Sequence, residues 1–205
     1  QARDDGALAR MSGTPHERAF PVAGIIVGAG AGKRFGGPKA IATLSDGRRF
    51  VDAIYETARD AGLSPIVTVL PPGVEPPKGS ISVVNPKADG EQVVSLRLGL
   101  AQLANHPVVG VVAWPVDHPF VTLESVLALI DAARRTGAPI VSPEFDERHG
   151  HPVFFHRDTW RELMTVADGG ARAVVRSYGS RVARVEVHDR GVLRDIDLPS
   201  DLASD

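Results

Sequence analysis

Between Val27 and Lys39 the chain reads Val-Gly-Ala-Gly-Ala-Gly-Lys-Arg-Phe-Gly-Gly-Pro-Lys. Small residues let backbone N–H groups approach an anion closely, and Lys33, Arg34 and Lys39 can neutralise its charge. That combination points to a bound phosphate chain. Two common phosphate loops do not fit it. A dinucleotide fingerprint counted from Gly28 and Gly30 needs its third glycine where Lys33 stands, and counted from Gly30 and Gly32 it needs one at Phe35. A P-loop needs Ser or Thr after Gly-Lys, but Gly32-Lys33 is followed by Arg34, and Val27 holds the place of its first glycine.

Carboxylates form the second group. Asp117 follows the apolar run Val111-Val-Ala-Trp-Pro-Val116, and Asp195, Asp197 and Asp201 cluster late in the chain. Magnesium takes carboxylate and phosphate oxygens plus water, so one or two of these acids suffice to hold it. Each also has a plainer reading, Asp117 as a turn cap before Pro119 and Asp197 as the cap of a helix begun by Pro199. His118 and His151 lack metal-ligand spacing, and the chain has no cysteine, so a zinc site is disfavoured.

These residues need a frame. Short Val- and Ile-rich runs at Val22–Val27, Pro65–Leu70, Ser80–Val84, Val108–Trp114 and Pro139–Ser142 read as strands. Val51–Ala61, Gln92–Asn105 and Leu123–Arg134 read as helices. Val93, Leu96, Leu100 and Leu103 make one buried stripe, and Leu123, Val126, Leu127 and Ile130 make another, with Thr122 as N-cap. Such alternation predicts a parallel sheet covered on both faces. Beyond Pro143 the pattern changes to strands at Pro152–His156 and Arg181–His188, with a helix within Ala171–Tyr178. A short strand at Val192–Asp195 and a terminal helix follow, and the whole late segment reads as an antiparallel extension of one sheet. The fold expected is a single Rossmann-like α/β domain in three layers over residues 21–205, after a flexible tail at 1–20.

Composition agrees with a globular α/β chain: 205 residues, 43% hydrophobic and 23% charged. A net charge of −2 without a dense Lys/Arg block argues against a nucleic-acid surface. No apolar run approaches the ~18 residues of a membrane span. Residues 1–20 lack the apolar centre of a secretory signal, and the absence of cysteine fits a reducing, cytoplasmic setting.

The glycine loop resembles the signature of the molybdenum-cofactor nucleotidyltransferase family, through Gly30, Arg34, Phe35-Gly36 and Lys39, with Gly32 where that family carries serine. Four further stretches resemble it in the same order. They are Asn85-Pro86 with Gly90 and Ser95-Leu96, Asp117-His-Pro119, Gly150-His151-Pro152, and Gly169-Gly170-Ala171-Arg172. The late Asp195-Ile-Asp197-Leu-Pro-Ser-Asp201-Leu resembles the family's terminal acidic motif. The resemblance implies a nucleotide-diphospho-sugar transferase-like fold and a nucleotide site of Gly28, Ala29, Gly30, Ala31, Gly32, Lys33, Arg34, Lys39, Gly90 and Ser95. It implies Mg²⁺ on Asp117 and Asp197, an acceptor site at His118, Gly150, His151 and Pro152, and catalysis by Arg34, Lys39 and Asp117. The reaction implied is transfer of NMP from an NTP to a phosphate-bearing acceptor of the molybdopterin type, with release of pyrophosphate. The loop and the Gly90–Leu96 stretch look closer to the branch using CTP. A GTP-using guanylyltransferase, transfer to a sugar phosphate and a non-catalytic nucleotide-binding domain stay open.

Overall fold

The computed structural model describes residues 19–30, 32, 35–87 and 92–203. Its elements run β1 (Val22–Val27), α1 (Phe50–Asp60), β2 (Ile66–Leu70), β3 (Ile81–Val84), α2 (Gln92–Gln102), β4 (Gly110–Pro115) and α3 (Leu123–Thr136). There follow β5 (Ile140–Phe145), β6 (Arg148–His149), β7 (Val153–His156), α4 (Trp160–Thr165), α5 (Gly170–Tyr178) and β8 (Val182–Glu186). Strands β3, β2, β1 and β4 lie side by side and parallel, with α1 crossing from β1 to β2 and a loop joining β2 to β3. Strand β7 then enters antiparallel between β4 and β5, and β8 pairs parallel on the other edge of β5. The result is one mostly parallel sheet with antiparallel strands in its late half.

Neighbouring residues of each central strand feed opposite faces, as the two-residue period of a strand dictates. Ile26, Val112 and Phe154 join Phe50 and Ile54 of α1 and Val126 and Leu129 of α3 in one core. Ile25, Val111 and Phe155 join Leu96 and Leu100 of α2, Leu163 of α4 and Val174 of α5 in the other. Helix α2 lies so close to the sheet that a Cβ on Gly99 would stand 2.6 Å from Ile25 Cγ2. The fold is therefore a three-layer α/β sandwich.

Several boundaries differ from the sequence reading. Helix α3 is capped by Thr122, which accepts from the Ser125 N–H, and ends at Gly137 in the left-handed conformation. Its buried face is Val126, Leu129, Ala132 and Ala133, whereas Leu127 is 46% exposed. The segment expected as a strand at Val192–Asp195 instead belongs to a 3-10 turn at Arg190–Leu193. Gly191 there packs against the carbonyl of Phe120, and Val192 gives its carbonyl to the His151 N–H, so neither residue has a strand partner to take. The expected terminal helix is a 3-10 helix, Pro199–Ala203. Phe20, the last residue assigned to the tail, stacks on Phe154 with ring centroids 6.1 Å apart.

Candidate functional site

The site lies at the carboxyl ends of β1 and β4, where α/β sheets receive ligands. These two strands leave the sheet together: the Val116 N–H donates to Val27 O at 3.0 Å, so the glycine loop and the Asp117 turn start side by side. Gly28, Ala29, Gly30 and Gly32 line a cavity of ≈ 280 Å³ with Phe35, Lys39, Ser95, Asp117 and Asp197. A Cβ on Gly30 would meet nothing within 4 Å, so its face is open to a ligand. Gly32 adopts φ +57°, and its carbonyl accepts from the N–H groups of Phe35, Gly36 and Gly37. A side chain there would fall on the carbonyl of Gly37. This backbone favours glycine at position 32. Ala31, Lys33, Arg34 and Gly90 lie outside the described residues.

Lys39 opens a 3-10 turn after Pro38 and brings two distant acids together. Its Nζ lies 2.5 Å from Asp197 Oδ1 and 3.4 Å from Asp117 Oδ2. The Lys39 and Asp117 side chains are only 15% and 17% exposed, which strengthens these charge contacts over those at an open surface. Asp197 reaches the cluster because the Ile196 N–H donates to Asp117 O at 2.8 Å, tying the late segment to the Asp117 turn. Asp201 fixes that segment by accepting from the N–H groups of Asp197 and Leu198 at 2.9 and 2.7 Å. Asp201, rather than Asp197, thus holds the turn before the final helix.

The cluster also passes a chemical test for a divalent cation. Asp117 Oδ1 is buried without a hydrogen-bond partner among the described residues, and two carboxylates beside the glycine loop form a hard-oxygen donor set. Among the described residues no group of three or more His, Cys, Asp or Glu side chains could hold a metal, so phosphate oxygens or water would have to complete the shell.

Ser95 is buried in α2 and accepts from Asn85 Nδ2 at 2.9 Å, leaving its own proton for the cavity. Lys87 and Gln92 also line this cavity, and nothing in the local sequence marked them. A second cavity of ≈ 920 Å³ adjoins the first, sharing Val27 and Gln92. Gly150 and His151 line it, together with the glycines that open α5 and Arg172, Arg176 and Arg184. Of these cations the sequence reading quoted only Arg172, and only as part of a motif. Behind the wall, the His118 ring lies 4.8 Å from that of His151. Burial lowers the pKa of His118, and burial followed by the charges of His118 and Arg172 pushes His151 down to about 3. Both rings are neutral at neutral pH. Pro152 is buried beside them.

A mostly parallel sheet with a glycine loop, a lysine and two carboxylates at one strand end is an α/β arrangement whose chemistry suits phosphate groups. The chain belongs to the MobA-like NTP transferase domain family, which it matches over residues 24–183. It is thus a member of a nucleotidyltransferase family. It is 35% identical over 117 residues to 2-C-methyl-D-erythritol 4-phosphate cytidylyltransferase of Thermus thermophilus. That match covers 57% of this chain and about half, 52%, of the relative. Rv0371c of Mycobacterium tuberculosis superposes with a TM-score of 0.78 at 25% identity, over 90% of this chain and 97% of that one. A further structure of Rv0371c, in complex with manganese, superposes with a TM-score of 0.68 at 25% identity, over 82% and 89% of the two chains. Molybdopterin-guanine dinucleotide biosynthesis protein A of Archaeoglobus fulgidus shares the fold, with a TM-score of 0.63 at 18% identity over 89% and 95%. Among the described residues no helix is long and apolar enough to cross a membrane.

Proposed function

We propose that the chain transfers a nucleotidyl group from an NTP, CTP in preference to GTP, to a phosphate-bearing acceptor of the molybdopterin type. The observation that carries this is the Lys39–Asp117–Asp197 cluster set against the glycine loop at the ends of β1 and β4. In the reaction an acceptor phosphate oxygen bonds to the α-phosphorus, the bond to the bridging β-phosphate oxygen breaks, and pyrophosphate leaves with the released electron pair. The nucleophile is already an anion, so positioning and charge neutralisation suffice without a general base. Arg34 and Lys39 neutralise charge on the leaving pyrophosphate, and Gly28 to Gly32 cradle the phosphates. Mg²⁺ on Asp117 and Asp197, when bound, supplies further neutralisation of the phosphate oxygens. The resemblance of the loop to the CTP-using branch and the cytidylyltransferase relative both favour cytosine.

The larger cavity takes the acceptor. Its walls of Val93, Leu96, Val153, Phe155 and Val175 suit a flat heteroaromatic group better than a bare sugar phosphate, and Arg172, Arg176 and Arg184 suit an anion. A sugar phosphate is the second reading, on the strength of the erythritol-phosphate relative. The deciding experiment measures thermal shifts with each of the four NTPs and Mg²⁺, then pyrophosphate release with molybdopterin. At 100 times Kd a bound nucleotide adds about 2.7 kcal/mol. The largest shift belongs to CTP; equal shifts undo the base assignment, and release with a sugar phosphate but not molybdopterin transfers the acceptor to the second reading.

A further inference from the structure

Lys39 touches the two carboxylates that the proposed function gives to the metal, and the inference here rests on that reading. Its ammonium lies 2.5 Å from one and 3.4 Å from the other. A magnesium-sized cation on the oxygens that Lys39 contacts, Asp197 Oδ1 and Asp117 Oδ2, would stand about 2.1 Å from each and compete with the ammonium for them. The two cations compete for this pair of oxygens, and their like charges oppose each other even when the metal takes Asp117 Oδ1. Lys39 also lines the cavity of the glycine loop, so a triphosphate seated on Gly28 to Gly32 is a second anion within its reach. We infer that Lys39 is a displaceable counter-ion which holds the metal off the two acids until a triphosphate draws it away. The chain then takes metal and nucleotide as one unit, and metal alone binds weakly. Linkage makes the effect reciprocal: metal on the acids frees Lys39 for the phosphates and tightens the nucleotide.

The test is a Mn²⁺ titration of the nucleotide-free protein, following the electron paramagnetic resonance signal of the free ion. Lys39→Gln removes the competing charge and binds Mn²⁺ about tenfold or more tightly than wild type, while Lys39→Arg and Lys87→Gln stay within about twofold. Lys87 lines the same cavity, so its loss reports the general field without the two-acid contact. Adding CTP tightens Mn²⁺ on wild type far more than on Lys39→Gln. Thermal melts check that each variant folds, with Lys39→Met as the second neutral variant. Equal Mn²⁺ affinity in wild type and Lys39→Gln overturns the inference and leaves the metal site standing. An equal rise in Lys87→Gln overturns it in favour of a diffuse charge effect. No Mn²⁺ on any of these proteins, with any of the four NTPs saturating, removes the metal site and the inference together.

Discussion

At the scale of single residues, Gly32 and His151 carry the sharpest consequences. The left-handed backbone of Gly32 and the carbonyl of Gly37 leave no room for a side chain. Gly32→Ser therefore costs about 1–3 kcal/mol of local strain, which nucleotide binding must overcome. We expect NTP affinity to fall about tenfold or more in calorimetric titration; an unchanged affinity would show that the loop keeps its phosphate contacts in another conformation. For His151 the sign follows from its depressed pKa. Below its ordinary value of 6.5 the unfolded chain takes up a proton that the folded chain refuses down to about pH 3. Stability therefore falls with pH across that window, by about 2 kcal/mol between pH 6.5 and pH 5 from this group. His151→Gln flattens that part of the profile, as urea unfolding at stepped pH will read. The histidine stands out in sequence, but its neutrality comes first from burial and then from His118 and Arg172, and neither the burial nor those neighbours can be read from the residues beside it.

At the scale of elements, the local code was legible wherever one residue pattern settled the outcome. The early strands announced themselves by Val and Ile runs, and the stripe Val93, Leu96, Leu100 and Leu103 is fully buried as its spacing implied. Strand β6 was missed because Arg148 and His149 carry no apolar signal, and the two-residue turn before it uses Asp146 and Glu147 at positive φ in place of the usual glycine. The insertion of β7 between β4 and β5 was equally hidden, since strand order is set by which faces pack and not by any one segment. Asp189 belongs to this scale too. Its buried carboxylate accepts from the Thr122 N–H at 2.9 Å, Ser125 Oγ at 2.7 Å and the Gly191 N–H at 2.8 Å, clamping the start of α3 to the turn that leads to Asp197. Asp189→Ala leaves three donors without this partner and should cost about 2–3 kcal/mol. Denaturant unfolding measures the loss directly; a cost under about 0.5 kcal/mol would mean that water replaces the carboxylate.

At the scale of the whole molecule, one sheet separates two cores, and the chain's two tryptophans report on them separately: Trp114 lies in one core and Trp160 in the other. If the sheet couples both faces, the single-tryptophan variants Trp160→Phe and Trp114→Phe each unfold in a transition that coincides with their own far-ultraviolet circular dichroism curve. Fluorescence and dichroism midpoints that separate within either variant would reveal a face that melts alone. The candidate site is likewise a property of the whole chain. Its glycine loop was readable from a dozen consecutive residues, but the meeting of Lys39 with Asp197 spans 158 positions and depends on the Ile196–Asp117 hydrogen bond. That span has a meaning in time. During synthesis at roughly 5–20 residues per second, Lys39 leaves the ribosome on the order of ten seconds before Asp197 is added. Throughout that interval the nascent polypeptide carries the loop without the acid that faces it, so the three-residue charge cluster is a late event in the life of each molecule, assembled only once translation has passed Asp197.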